Sequence, residues 1–266
     1  MQRWLRRAAV TVLAALMLAG CDTLPIDRSY SAKGQDSRAL FLVLHYTVAN
    51  FEQSLKILTE QEVSAHYLVS DETPPKIYQL VDESRRAWHS GPSFWRGHRM
   101  LNASSIGIEI VHPGVLHLPQ GDLWLPYRDD QIDLVVRLVQ DIVRRHQIRP
   151  ERVVGHSDVL PQDKTDPGPR FPWKRLADLG LIHWPDATRV AAERSRFEAQ
   201  LPDVAWFQRQ LATHGFEVAT HGQLDGPTRR VVAAFQMKYR PTKFDGTPDA
   251  ETAALLHVLN TPAAAR

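Results

Sequence analysis

Apolar and polar positions alternate along this chain in three rhythms. Residues 39–47, "ALFLVLHYT", form a continuous run of β-formers, which predicts a buried strand. "SIGIEIV", residues 105–111, alternates, placing Ile106, Ile108 and Ile110 on one face of a strand and Gly107, Glu109 and Val111 on the other. Between residues 128 and 148 the apolar set Ile132, Val135, Val136, Val139, Ile142 and Val143 recurs at helical spacing, with Asp129 or Asp130 as the expected cap. "SLKILTEQ" predicts a further helix, and "RVVGH" a short strand. "SAHYLVS" and "KIYQLVD" read as two strands flanking the turn "DETPP". Strands interleaved with helices imply an α/β layer over residues 39–180.

After "FPWKRLADLGLIHWP" the composition turns charged and Ala-rich, so residues 181–200 are expected to be a linker. A new pattern starts at Asp203. "HGQLDGPT" at 221–228 and "DGTPDAET" at 245–252 share Gly, Asp and Thr at matching offsets, 24 residues apart, and each opens a helical stretch. With "AWFQRQLATHGF" in front, residues 201–262 predict a small three-helix module. Its size limits the core it can build alone, which favours binding over catalysis.

The 266 residues are 43% hydrophobic, in the range of one or two globular domains. The first twenty differ: Arg3, Arg6 and Arg7 precede an uncharged apolar run from Ala8 to Ala19, the pattern of a signal peptide. It ends in "LAGC", which resembles the bacterial lipobox, and Cys21 is the only Cys in the chain, with no disulfide partner. Diacylation of Cys21 would tie the protein through a polar tether, residues 21–38, to the periplasmic side of a bacterial membrane. Asp22 leans toward the inner membrane. Without residues 1–20 the 32 Lys and Arg become 29, against 30 Asp and Glu. That near-neutral balance, with no basic stripe, speaks against a nucleic-acid partner.

Candidate chemistry sits in "GHSDVLPQDKTDPG", residues 155–168, a loop with almost nothing apolar to anchor it. His45 and His156 end predicted strands, where open α/β sheets collect ligands. With Asp166 they supply the three protein ligands a catalytic zinc takes. Twelve histidines are present, so spacing alone leaves other sets open.

"LHYT", "SAHYLV", "AWH", "N…SIGIEIV" and "GHSDVLPQDKTDPG" occur in the order and approximate spacing of the zinc-dependent N-acetylmuramoyl-L-alanine amidases of the type 2 family, over residues 38–176. The most specific part is His156, Lys164 eight on, and Asp166 two further. Peptidoglycan recognition proteins and phage amidases share that fold but often carry Cys as third ligand, whereas Asp166 stands there as in the bacterial branch, and both ends of the chain resemble its AmiD-type lipoprotein amidases, which carry a C-terminal peptidoglycan-binding module. The resemblance implies a mixed central β-sheet flanked by helices, with Zn2+ on His45, His156 and Asp166. That coordination, rather than apolar packing, would then hold the loop. It implies that Glu109 moves a proton from water to the leaving amine, and that Lys164 stabilises the oxyanion. His66, Trp88, His89 and Asn102 match positions lining the substrate groove. The C-terminal repeat resembles the type 1 peptidoglycan-binding domain, with His221 where that family has Asp, which would weaken the loop. The expected activity is hydrolysis of the amide joining N-acetylmuramic acid, or its anhydro form, to L-alanine, in wall turnover and recycling. Peptidoglycan and muropeptides are the partners, and the protein is expected to be a monomer. A non-catalytic peptidoglycan receptor is the alternative. A zinc peptidase is remote, because no HExxH occurs.

Overall fold

The computed structural model describes residues 24–261; the expected leader 1–20 and Cys21 lie outside the described residues. Residues 24–36 form one unit, exposed and without helix or strand. The second begins at Ser37, two residues before the expected Ala39, because both residues are held there. Ser37 Oγ pairs with His146 Nδ1 at 2.6 Å, and the Arg38 guanidinium donates to the carbonyls of Glu83, Ala103, Ser105 and Arg85.

In chain order this unit runs β1 (Phe41–Tyr46), α1 (Phe51–Glu60), β2 (Tyr67–Val69), β3 (Ile77–Gln79), β4 (Phe94–Trp95) and β5 (His98–Arg99). There follow β6 (Ser105–Ile110), β7 (Val115–Leu118), β8 (Gly121–Trp124), α2 (Asp129–His146), β9 (Val153–Gly155), α3 (His156–Val159) and α4 (Trp173–Asp178). Four helices complete it: α5 (Ala187–Ala199), α6 (Val204–His214), α7 (Gly226–Tyr239) and α8 (Ala250–Asn260). The central sheet has the order β3-β2-β6-β1-β9 and is parallel except for the β2/β3 pair, so the expected mixed sheet is present.

A parallel sheet must be covered on both faces. Leu42, Leu44, Ile106, Ile108 and Ile110 pack under the apolar stripe of α2, with Ile132, Val135, Val139 and Ile142. On the opposite face Phe41, Val43 and Val154 share a core with Phe207, Leu211, Val231 and Phe235 of α6 and α7. The small module thus gains through the sheet the core it is too short to build alone.

Two expectations are corrected. The cap of α2 is Arg128, and Asp129 and Asp130 both lie inside the first turn, where their charge complements the helix dipole. Residues 181–200 are not a linker, since α5 packs along α8 and makes the module four helices rather than three. Only Val190 and Phe197 of α5 face the core, seven positions apart, a stripe too narrow to stand out from its charged neighbours. Asp186 caps it, accepting from Arg189 N at 2.8 Å.

The repeat has a structural cause. Asp225 and Asp249 cap α7 and α8. A buried glutamine from the preceding helix struts each loop. Gln208 accepts from Gly222 N and donates to Gln223 O and Thr228 Oγ1; Gln236 accepts from Gly246 N and donates to Thr247 O and Thr252 Oγ1. His221 does not weaken its loop as expected: its Nδ1 accepts from Gln223 N at 3.1 Å, as Asp245 Oδ1 accepts from Thr247 N at 2.9 Å.

A shared core predicts shared unfolding. Phe235→Ala in the module should cost the entire second unit about 3–5 kcal/mol and leave a single calorimetric transition. Separate transitions for sheet and module would contradict a common core.

Candidate active site

The parallel register of β1 and β6 sets His45 beside Glu109. Neighbours in register point to the same face, so both side chains leave the sheet together at its C-terminal edge. His156 follows β9 directly and opens α3 instead of ending the strand. Asp166 reaches the same place from the following loop. His45 Nδ1 lies 3.0 Å from His156 Nδ1 and 3.0 Å from Asp166 Oδ2, and His156 Nδ1 lies 3.2 Å from that same oxygen. All three residues are buried.

A chain of hydrogen bonds behind His45 fixes its tautomer. Ser105 Oγ donates its one proton to Leu101 O at 2.6 Å, so it accepts from His89 Nε2–H at 3.0 Å. His89 Nδ1 is then the acceptor for His45 Nε2–H at 3.0 Å, which leaves the lone pair of His45 Nδ1 facing Asp166 and His156. The His89 ring lies flat against β6 because residue 107 is Gly: a Cβ there would sit 2.5 Å from His89 Cγ. His89 also lines the cleft, yet its ring nitrogens are both engaged behind the ligand.

Burial pushes His45 down to about 4, helped by the neighbouring His156 and opposed by Asp166, so its imidazole is neutral near pH 7. For Asp166, burial alone would raise the carboxyl; the two imidazoles overcome it and hold the group well below the usual carboxylate range. Glu109 goes the other way. Burial and the Asp166 charge push it up to about 8, with the Lys164 ammonium pulling back. Among the described residues, the buried side-chain polar atoms without a partner are Glu109 Oε2, His156 Nε2 and Arg240 Nη2. Two of those three belong to this site.

Two imidazoles, that of His45 neutral and braced from behind, and an ionised carboxylate converge here and fit a divalent transition metal with a position left open. The cleft of about 380 Å³ is lined by Tyr46, Trp88, Glu109, Lys164 and Thr165, with an apolar wall from Ile57, Leu58 and Val63. Lys164 is exposed at its mouth, and Trp88 is 50% exposed.

Two predicted groove residues lie elsewhere. His66 is a core residue, accepting from Gly107 N through Nδ1 and paired through Nε2 with Arg38. Asn102 sits beneath the cleft, where its Oδ1 accepts from His89 N, Ser90 N and Ser90 Oγ and so holds the turn that carries His89. Tyr46, which sequence reasoning missed, pairs with Thr165 Oγ1 at 3.0 Å on the cleft wall; its place beside His45 was the available signal.

The loop does not depend on coordination alone. Residues 166–169 are buried, Ser157 N donates to Asp166 O at 2.9 Å, and Tyr127 donates to Pro167 O at 2.8 Å. Pro167, Gly168 and Pro169, in a loop with little apolar to anchor it in sequence, are packed.

Similarities to known proteins follow the same outline. A family model described as N-acetylmuramoyl-L-alanine amidase matches residues 35–169, and one described as a putative peptidoglycan binding domain matches residues 200–256. The chain is 40% identical to the N-acetylmuramoyl-L-alanine amidase AmiD of Escherichia coli K12, covering 96% of this chain and 98% of that protein. The structure of E. coli AmiD with the substrate anhydro-N-acetylmuramic acid-L-Ala-D-γ-Glu-L-Lys superposes with a TM-score of 0.79 over 88% of this chain and 93% of that one. AmpDh3 of Pseudomonas aeruginosa, in complex with anhydromuramic pentapeptide, is 36% identical and gives a TM-score of 0.82 over 90% of this chain and 98% of that one.

The raised Glu109 carboxyl has a stability signature in metal-free protein. Unfolded, it ionises near 4.5; folded, it keeps its proton to about 8, so wild-type stability falls as pH rises through that interval. Glu109→Gln should lack this loss. Urea unfolding at intervals from pH 5 to pH 8 should show the two proteins diverging; parallel curves would mean that Glu109 ionises normally.

Proposed function

The chain belongs to the N-acetylmuramoyl-L-alanine amidase family, and we propose that zinc held by His45, His156 and Asp166 serves its hydrolysis of the amide between N-acetylmuramic acid and L-alanine in peptidoglycan. The observation that carries this reading is the convergence of the three ligand atoms beside the unpartnered Glu109 Oε2. The anhydro substrates of the two related structures support anhydro-muropeptides as substrates here, and recycling as the role.

A zinc ion in this set would supply Lewis acidity toward the scissile carbonyl and bring water's pKa toward neutrality. The chain's own groups do the rest. Glu109 Oε2 takes a proton from the attacking water and returns it to the alanine nitrogen as the C–N bond breaks, leaving a lactyl carboxylate and a free amine. An acid raised toward neutral pH is matched to both halves of that transfer. Lys164 Nζ, at the cleft mouth, stabilises the negative charge that develops on the carbonyl oxygen. Trp88 offers an exposed face to the substrate, and the Tyr46 and Thr165 hydroxyls form the facing polar wall.

A cleft lined within one chain supports a monomeric enzyme. Cleavage before Cys21 and its diacylation hold it at the periplasmic face of a membrane, tethered through residues 21–36, since Ser37 and Arg38 belong to the folded unit. The wall-binding resemblance of the C-terminal repeat adds a second hold on peptidoglycan.

Incubating the mature protein with muramoyl-tripeptide should release free tripeptide by mass spectrometry, with chelator abolishing release and zinc restoring it. Glu109→Gln should lower kcat about 10²–10⁴-fold with little change in KM. Release that resists the chelator would remove the metal from the mechanism. Cys21→Ser should abolish incorporation of radiolabelled palmitate and shift the protein from the membrane to the soluble fraction; unchanged labelling would refute acylation at Cys21.

A further inference from the structure

A buried charge links the C-terminal module to the metal site. Lys238, on the last turn of α7, donates to Asp158 Oδ2 at 2.7 Å, with side-chain exposures of 6% and 2%. Its ammonium also lies 4.2 Å from the centroid of the Trp173 ring. Asp158 belongs to α3, the short helix that His156 opens, and its same Oδ2 accepts from Gly155 N at 2.8 Å. That bond closes the turn immediately before the ligand.

Three contacts therefore converge on the backbone at Gly155. Asp158 holds its N–H. Its Cα faces the Pro167 ring and the Trp173 ring so closely that a Cβ would sit 2.6 Å from Pro167 Cδ and 3.2 Å from Trp173 Cζ2. Lys238 neutralises Asp158 and rests on Trp173. A buried carboxylate without its cation would be driven toward water, away from Gly155 N, and the entry to His156 would lose its clamp.

We propose that Lys238 is a positioning residue of the metal centre: acting through Asp158, it sets the direction of His156, so that the C-terminal module is a working part of the catalytic site as well as a candidate wall-binding unit. This rests on the metal reading of His45, His156 and Asp166, and its consequences are read from metal binding rather than from turnover.

The test uses the full mature chain, stripped of metal and titrated with zinc against a chromophoric chelator, with the visible spectrum of the cobalt-loaded protein as a probe of ligand geometry. Lys238→Met should weaken zinc binding about 10–100-fold and alter the cobalt spectrum. The double variant Asp158→Asn with Lys238→Met removes both charges while the carbonyl oxygen of the new amide still accepts from Gly155 N, so it should regain most of the affinity and the original spectrum. Asp158→Ala with Lys238→Met removes the acceptor as well and should regain neither. Wild-type affinity and spectrum in Lys238→Met would overturn the proposal. If that variant fails to fold, the two double variants decide, and equal zinc affinity in them overturns it. A wild-type chain that takes up no metal would remove the centre itself, and the inference with it.

Discussion

The cleft depends on one geometric constraint, the in-register parallel pairing of β1 with β6. That register puts His45 beside Glu109 on the same face and at the same edge of the sheet. A slip of one residue would turn either side chain to the opposite face, into the apolar layer under α2. The apolar residues that alternate with them, Leu42, Leu44, Ile106, Ile108 and Ile110, resist such a slip because they are locked in that layer. The hydrophobic core thereby fixes the placement of His45 relative to Glu109.

Desolvation then differentiates groups that share one pocket. Asp166 and Glu109 are both buried carboxyls. Asp166 has two imidazoles against its oxygen and stays ionised, whereas Glu109 Oε2 has no partner and holds its proton to about 8. Burial keeps His45 neutral, and its pairing directs its lone pair, since Ser105 and His89 determine which nitrogen carries hydrogen. Environment thus separates an ionised carboxylate from a protonated carboxyl among side chains of the same type.

The face that carries His45 is divided along its length. Phe41, Val43 and Val154 are covered by the helical module, and His45 and Glu109 occupy the strand ends beyond them. Covering that face obliges the module to lie close to α3, and the Lys238–Asp158 pair forms where the two meet. The module's own regularity comes from two buried glutamines, each bracing the loop ahead of a capped helix.

By itself the sequence determined the elements whose patterns are local. The alternation of 105–111, the helical stripe of 132–143 and the repeated Asp caps all follow from backbone periodicity, while His156, Lys164 and Asp166, with His45 and Glu109, were legible through the likeness of their motifs to the type 2 amidases and not through spacing alone. What only the tertiary structure decided involves partners distant in sequence. His66 and His89 look alike in the chain, yet Arg38 and Gly107 engage His66 within the core, while Ser105 makes His89 the brace of His45. The helix 187–199 was hidden because its stripe has two apolar residues and gains its stability from α8. Lys238 is one charge on an amphipathic helix until the sheet places Asp158 against it. Periodicity is a property of the backbone and is written in order along the chain; burial and pairing belong to neighbours that only the folded chain brings together.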